Sequence, residues 1–309
     1  MGLLNFTKNE APVAGTLSPE VEAFLTGYSI EVMPRTAEKI EDFRALLPAG
    51  TRVYIAHIEG TPIEDMVRTA ARLNAEGFPV MPHFPARIIK DEATLGDWIA
   101  RYQGEADVSQ ALLLAGGVDT PHGAFDSSMQ LIETELFDQA GFEHLHVAGH
   151  PEGNKDIDPS GGTANVDAAL RWKQDFSNRT DAQMAIATQF AFEAAPIIAW
   201  ADGLKEAGID LPIHIGIAGP AKLQTMIKFA IACGVGPSLR VLQRRAKDVT
   251  KLLLPFEPNE VISDLAAHKA SHPDFNITQV HFFPLGGIKT NAHWALANGG
   301  AAGQPATAA

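Results

Sequence analysis

Cysteine is almost absent from this chain, because Cys233 is the only one among 309 residues. A single cysteine excludes an internal disulfide and is typical of a reducing compartment, so we expect a cytoplasmic protein. Cys233 lies in the apolar stretch FAIACG, which we interpret as the setting of a small buried hydrophobe. The first residues, MGLLNFTKNEAP, lack the basic and apolar regions of a secretory signal.

Long apolar runs and basic clusters are also lacking. No run approaches about 18 residues without a charge, so no membrane-spanning helix is expected. The net charge is −13 and both signs are interspersed, which predicts a solvated surface rather than a nucleic-acid-binding face. Neither G-x-G-x-x-G nor a P-loop occurs, since GGIKT over 286–290 has the wrong order for the latter.

The chain does contain a regular alternation of β-rich apolar runs and helical patterns, about every 30 to 40 residues. Eight such units in series predict a closed parallel (β/α)₈ TIM barrel, and the length suits a single domain of this kind. We place the barrel over 16–297, after an N-terminal extension over 1–15 and before a Gly/Ala-rich disordered tail over 298–309. The predicted strands lie at 28–34, 51–58, 110–117, 144–150 and 277–286, and three more begin near 78, 183 and 211. The helical patterns between them include 37–47 and 127–141, and a longer helical stretch precedes the last strand.

Polar residues late in these apolar strands are the candidates for function. In a parallel barrel, the carboxyl ends of the strands converge on one mouth, where catalytic side chains gather. The residues in such positions are Glu31, His57, His83, Asp119, His150, Glu152 and Gln189.

Six short segments carrying these residues occur in the order seen in one known family. The chain resembles methylenetetrahydrofolate reductase of the bacterial, catalytic-domain-only type. The resemblance implies a barrel with non-covalent FAD, often homo-oligomeric, that passes hydride from NADH or NADPH to a tetrahydrofolate in one-carbon metabolism and methionine biosynthesis. The segments are EVMPRT from Glu31, MPH ending at His83, LLAGGVD ending at Asp119, VAGHPE ending at Glu152, ATQF around Gln189, and KF ending at Phe229.

The resemblance makes Glu31 the general acid that protonates a folate nitrogen and opens the five-membered ring. Work near neutral pH would need its pKa raised from about 4.3 toward about 6–7, which apolar burial can do. The alternative interpretation is a salt-bridged carboxylate at a strand end.

The remaining folate candidates each have a competing interpretation. The resemblance places Asp119 near the flavin and pterin, but an Asx turn before Pro121 would also explain it. It makes Gln189 a folate-binding residue, whereas a buried glutamine bonded to backbone is the alternative. Phe229 would stack on folate or nicotinamide, or else belong to a helix core. Leu285, in the last strand segment, is the final substrate-binding candidate, although the arginine often found after that leucine is missing.

The candidates for FAD binding cluster around the first, third and fifth units. The family commonly has threonine at the position of His57 and tyrosine at that of His150, so the flavin contacts differ here. Lys173 could reach the diphosphate as a point charge. Asp167 could bond a ribose, or be an ordinary first-turn acid favoured by the helix dipole. The full set is His57, His83, Asp119, His150, Glu152, Asn154, Asp167 and Lys173.

Two other functions remain open from the sequence. One is a metal-dependent barrel hydrolase, because histidines recur on the strands and His144-Leu-His146 places two imidazoles on one strand face. That pair starts its strand, however, so we expect it at the bottom of the barrel. The other is a catalytically inactive binder of folate or flavin, against which the presence of Glu31 argues.

Overall fold

Eight parallel strands form a closed barrel in which each strand pairs with its neighbour along the chain and the last pairs with the first. The computed structural model describes residues 18–235, 239–240, 242–243 and 255–300. The predicted (β/α)₈ TIM barrel is confirmed. The strands are β1 (Ser29–Val32), β2 (Val53–Ile55), β3 (Val80–Pro85), β4 (Gln110–Leu114), β5 (His144–Gly149), β6 (Gln183–Thr188), β7 (Ile213–Ala218) and β8 (Ile277–Phe283).

Helices cover the outside of this barrel, and their ends follow ordinary capping chemistry. The Asp91 carboxylate accepts a hydrogen bond from the Thr94 amide at 2.8 Å and so starts the fourth helix, which ends at Asp107 in the left-handed conformation. Within the described residues, no helix combines the length and apolarity needed to cross a bilayer. The helices are α1 (Pro19–Leu25), α2 (Pro34–Ala37), α3 (Ile63–Ala75), α4 (Glu92–Ala106), α5 (Ser128–Glu133), α6 (Leu136–Gln139), α7 (Ala164–Ser177), α8 (Ala194–Glu206), α9 (Leu223–Ala232), α10 (Asn259–Ser271) and α11 (Ile288–Ala297).

Two helices expected from the sequence are broken into shorter pieces. The predicted helix over 37–47 is wrong: α2 stops at Ala37, and a 3₁₀ turn follows over Phe43–Ala45, capped where the Asp42 carboxylate accepts from the Arg44 amide at 2.9 Å. The predicted helix over 127–141 is divided into α5 and α6, because Glu135 adopts φ 58° between them. Of the helical stretch expected before β8, α10 is described and most of the rest lies outside the described residues.

The predicted boundaries at both ends of the chain stay predictions, because most of the extension and of the tail lies outside the described residues. The extension over 1–15 lies outside the described residues, and α1, which the sequence did not indicate, packs against α10 and β8. The predicted tail starts at 298, but Gly300 is buried and its amide donates to the Ala295 carbonyl at 2.7 Å. Residues 301–309 lie outside the described residues, so disorder there stays a prediction.

The strands divide their side chains between two cores. Outward-facing residues such as Ile30 and Val53 belong to the large apolar core between barrel and helices. Inward-facing residues form a separate small cluster, made of Tyr54, Met81, Leu112 and Ala187. This period-2 alternation is expected of strands. We call the inner cluster the Tyr54 layer; polar side chains occupy the barrel on either side of it.

Candidate functional site at the carboxyl end of the barrel

Three titratable side chains meet inside the barrel near the carboxyl ends of β1, β3 and β8. The Glu31 Oε2 atom lies 3.3 Å from Nε2 of His83 and 4.0 Å from Nε2 of His281. The Glu31 side chain is 18% exposed and that of His281 only 1%. Ser29 Oγ lies 3.0 Å from the other ring nitrogen of His281 and fixes the orientation of that ring. We call these three residues the acid–imidazole cluster.

The protonation of this cluster differs from the sequence-based expectation. Burial alone would raise the pKa of Glu31, but its interactions with His281 and His83 outweigh burial and lower the pKa to about 2. The predicted rise toward neutrality is therefore wrong, because imidazoles rather than apolar groups face the carboxylate. Burial also lowers the pKa of His281, and Glu31 acts against that shift. At neutral pH Glu31 is ionised, so a proton held by the cluster resides on an imidazole.

An aromatic wall stands beside the cluster. The Phe283 ring lies 4.9 Å from the His281 ring, and Phe190 lies 5.5 Å from Phe283, between ring centroids. Gly216 permits this packing, since a Cβ there would lie 2.8 Å from Phe283 and 2.4 Å from the Thr188 carbonyl. The mouth therefore combines an anionic acid group with a flat apolar surface, which suits a planar ligand with titratable nitrogens.

Gln189 and Cys233 face the same end of the barrel. The Gln189 Oε1 atom accepts from the Phe190 amide at 3.0 Å, as in the backbone-bonded alternative, and its amide also interacts with the Cys233 thiol. The prediction that Cys233 is buried is wrong, because its surface is exposed. Surrounding protein and then the charge of Glu31 raise the pKa of this thiol to about 11, so it stays protonated at neutral pH.

Of the two remaining substrate candidates, Phe229 lies on α9 and Leu285 follows β8. Phe229 is 37% exposed on α9, whose buried face consists of Leu223, Met226 and Ala230. The helix-core interpretation of Phe229 is therefore wrong, since the ring is on the outer side of that face. Leu285 is half-buried and packs against the apolar cluster that contains the aromatic wall.

A second polar group lies where β5 ends and α7 packs against it. Lys173 is 6% exposed, and burial lowers the pKa of its ammonium to about 8. Burial and then the charge of Lys173 lower the pKa of His150 to about 4. Asn154 Nδ2 lies 3.5 Å from His150 Nδ1, while Glu152 is half-buried in the same loop with contacts of its own. Among the described residues, no oxygen accepts a hydrogen bond from the Lys173 ammonium.

Two other FAD candidates already have partners within the chain. His57 Nε2 lies 3.0 Å from the Thr61 carbonyl, its ring stacks on Trp98 at 4.8 Å, and burial lowers its pKa to about 4. Asp167 accepts from the Thr163 hydroxyl at 2.9 Å in the first turn of α7. These contacts agree with structural roles for both side chains, and a part in cofactor binding stays a prediction.

Arg87, which no sequence motif marks, joins the loops around the mouth. Its guanidinium pairs with Asp126 at 2.8 Å and with Asp156 at 2.7 Å, and it donates to the Val118 carbonyl at 3.2 Å. Asp119 follows in the same loop and is exposed. No contact among those of the described residues joins Asp119 to Glu31, so its predicted place near the pterin is untested.

Two more residues of this end were missed in the sequence. His281 was detectable, because it lies two residues before Phe283 in ITQVHFF and therefore shares its inward face. Asp158 caps α7 by accepting from the amides of Asn165 at 3.0 Å and Val166 at 3.1 Å. It gave no signal, since it reaches the helix across a Gly-rich loop rather than from the N-cap position.

The His-x-His pair of β5 lies at the opposite end of the barrel, as its place in the sequence predicts. His144 and His146 begin β5 and, with His214, line a cavity at the amino ends of the strands. Among the described residues, no group of three or more His, Cys, Asp or Glu side chains is arranged to hold a metal ion.

Comparison with known proteins gives a likeness in fold. No family profile matches the chain. One solved structure with the same fold is an uncharacterized protein from Clostridium thermocellum, described as binding two copies of 5-methyl-5,6,7,8-tetrahydrofolic acid. The TM-score is 0.53 at 10% identity, and the match covers 92% of this chain and 98% of that one. At this identity, the likeness shows the fold alone.

Proposed function

We propose that the chain is a folate oxidoreductase that transfers hydride between FAD and the one-carbon unit of tetrahydrofolate, interconverting its 5,10-methylene and 5-methyl forms. The acid–imidazole cluster beside the aromatic wall is the observation that carries the proposal. Two further points support it: the ordered segments that resemble methylenetetrahydrofolate reductase, and the folate bound by the Clostridium thermocellum protein of like fold.

The proton chemistry follows from the pairing of Glu31. Opening the five-membered ring of methylenetetrahydrofolate requires a proton on a ring nitrogen, and the ionised Glu31 does not carry one. Its carboxylate instead lies 3.3 Å from the Nε2 atom of His83, and in this proposal the His83 imidazole carries the proton. In this proposal the imidazolium donates the proton as the C–N bond breaks, and the neutral imidazole takes it back in the reverse direction. Glu31 thus acts by pairing with the acid.

The aromatic wall supplies the binding surface. Phe190 is only 1% exposed and packs behind Phe283, so a pterin ring would pack against Phe283, with its nitrogens beside the acid–imidazole cluster. Offset stacking of such rings is favourable. Gln189 would bond the pterin through the amide nitrogen, because its oxygen already accepts from backbone. Asp119 would reach the pterin amino group from its exposed loop.

FAD is the cofactor that the resemblance implies, and Lys173 provides a test of its fit. A buried ammonium that lacks an acceptor among the described residues is destabilising unless an anion pairs with it. The FAD diphosphate would supply that anion, with His150 and Asn154 beside it, so the residues at the end of β5 fit the group. Bound there, FAD would serve as the hydride carrier between the nicotinamide and the folate.

Spectroscopy and turnover test the proposal together. The purified chain, reconstituted with FAD, is expected to show flavin absorbance and to oxidise 5-methyltetrahydrofolate or reduce the methylene form anaerobically. A protein that cannot be loaded with FAD, or loaded protein inert in both directions, would refute it.

The electron donor is a separate question, because the arginine often found after Leu285 is missing. We propose that nicotinamide use is weak and that the enzyme runs oxidatively on methyl-folate, with an external electron acceptor other than NAD⁺ or NADP⁺ taking the two electrons. Anaerobic stopped-flow mixing with NADH and with NADPH measures flavin bleaching directly. Rapid bleaching by either would exclude this part of the proposal and leave the folate reaction standing.

A further inference from the structure

A cavity of about 840 Å³ opens at the amino ends of the strands, opposite the candidate active site. Residues at or just before the starts of β2 to β8 line it, and Ala23 of α1 and Thr26 just after that helix add to its wall. That volume is typical of a site for a small organic molecule. The Tyr54 layer lies between this cavity and the acid–imidazole cluster.

The cavity wall is cationic in a strongly acidic protein. The chain has 37 Asp and Glu residues, yet the lining residues include no carboxylate. Its polar lining instead consists of one guanidinium, three imidazoles, three amides and two hydroxyls, from Arg52, His144, His146, His214, Gln110, Gln183, Gln279, Thr26 and Thr278.

No acidic side chain among the described residues pairs with Arg52. Its Nε donates to the Gln110 Oε1 atom at 2.8 Å, and among the described residues no ion pair reaches its guanidinium. The carboxylate of Glu143, whose charge reaches His144, accepts from the Ser109 hydroxyl at 3.2 Å and is not among the lining residues. The half-buried guanidinium therefore faces the cavity without a counter-ion.

The imidazoles that line the cavity do not supply a counter-ion for Arg52 either. The pKa of His214 is lowered mainly by burial and next by the charge of Arg52. The pKa of His146 is lowered mainly by burial, then by His214 and then by Arg52. Both rings are neutral at neutral pH and can donate hydrogen bonds from one nitrogen. The Tyr54 hydroxyl forms a hydrogen bond with His146 Nδ1 at 2.6 Å, so the Nε2 atom of that ring is left for a ligand.

We propose that this cavity is a second ligand site, which binds a small organic molecule through a carboxylate or phosphate group held by Arg52. A planar guanidinium fork recognises such oxyanions in bidentate fashion, and an unpaired cation beside low-dielectric walls favours an anion. The organic body fits the remaining wall, which is formed by apolar residues such as Met184, Pro79 and Pro212.

Binding of defined probes tests this site. Isothermal titration at pH 7 in low-chloride buffer would use inorganic phosphate, phenyl phosphate and citrate. We expect phenyl phosphate to bind more tightly than inorganic phosphate, because its ring contacts the apolar wall; citrate reports on carboxylates. If no probe binds, or if binding is equal in the variants below, the proposal fails.

Two variants and a control separate the site from adventitious surface binding. Arg52→Gln removes the charge, and Gln110→Glu gives Arg52 an isosteric internal carboxylate; each should weaken binding at least about tenfold. Gln110→Glu keeps the acceptor of Arg52 and so should fold even if Arg52→Gln does not. Arg44→Gln, at an exposed arginine paired with Asp42, should bind the probes unchanged. Because the site is independent of the proposed folate reaction, Glu31→Gln should also leave it unchanged.

Discussion

The two ends of the barrel hold the same kind of side chain in different electrostatic settings. At the carboxyl end, Glu31 faces the imidazoles of His83 and His281. At the amino end, His146 and His214 face the guanidinium of Arg52, whose charge adds to burial in lowering their pKa values. An imidazole beside a carboxylate can hold a proton, while one beside a guanidinium stays neutral. The proposed proton transfer therefore suits the carboxyl end, and the proposed anion site suits the amino end.

Removing the charge of Glu31 should give the largest effect. We expect Glu31→Gln to lower turnover with folate about 10²- to 10⁴-fold and to retain FAD, because the imidazoles lose the carboxylate that stabilises their proton. The wild-type rate profile should also lack an acid limb at the ordinary carboxyl pKa, since that of Glu31 is about 2. Glu38→Gln, at an exposed glutamate paired with Arg68, is the control. Equal turnover in Glu31→Gln and wild type would contradict the role.

Lowering the pH should destabilise the protein through its buried neutral histidines. Burial lowers the pKa of His57 and of His150 to about 4, and the pKa values of His146 and His214 lie well below their ordinary value. Below about pH 6.5 the unfolded chain binds more protons than the folded one, so stability falls by up to about 1.4 kcal/mol per pH unit for each such ring.

We expect the free energy of unfolding in urea to drop by at least about 2 kcal/mol between pH 7 and pH 5. The Arg52→Gln variant should show a shallower dependence, because the charge that helps keep the lower imidazoles neutral is gone. A free energy of unfolding that stays constant or rises toward pH 5 would contradict the prediction that these histidines bind fewer protons in the folded chain than in the unfolded one.

Replacing Lys173 should separate cofactor binding from stability at the carboxyl end. Its pKa of about 8 means that the charged form is disfavoured in the folded state, so this lysine costs stability below its ordinary pKa. Lys173→Met keeps the aliphatic stem, and we expect it to stabilise the FAD-free protein by about 1–3 kcal/mol while weakening FAD at least about tenfold. Urea unfolding and flavin titration measure the two effects. The exposed Lys205 offers a control as Lys205→Met.

The Tyr54 layer is tested by removing one hydroxyl. Tyr54→Phe leaves His146 Nδ1 without its partner at 2.6 Å, which should cost about 1–2 kcal/mol of unfolding free energy. The hydroxyls of Tyr28 and Tyr102 are buried without a hydrogen bond among the described residues. Tyr28→Phe and Tyr102→Phe should therefore be neutral or slightly stabilising. A loss in these controls as large as that of Tyr54→Phe would show that the space left by the buried hydroxyl, rather than the lost hydrogen bond, accounts for the cost.

Local sequence patterns were sufficient for the barrel but not for the state of its site. The alternation of apolar strands with helices predicts the number and order of the units, because buried side chains recur at a different spacing in a strand and in a helix. The pattern also placed Glu31 and His83 at one end. It could not show that His281, 250 residues from Glu31 along the chain, lowers the carboxyl pKa, since that effect depends on a closure between the first and last strands.

The same limit applies to loops and solvent exposure. Arg87 acts through contacts with residues 39 and 69 positions away along the chain, and Asp158 reaches α7 across a Gly-rich loop, so nothing in their neighbouring residues marks them. Cys233 and Phe229 lie in apolar stretches that indicate burial, yet both are exposed where α9 approaches the mouth.

The ion pairs of Arg87 have a consequence for how the mouth can vary. One side chain at the end of β3 joins the segment after β4, through Asp126, to the segment after β5, through Asp156. An insertion in either segment would pull its carboxylate away and leave a guanidinium that is 11% exposed with half its partners. Loop grafts aimed at new substrates should therefore exchange both segments together, or replace Arg87 first.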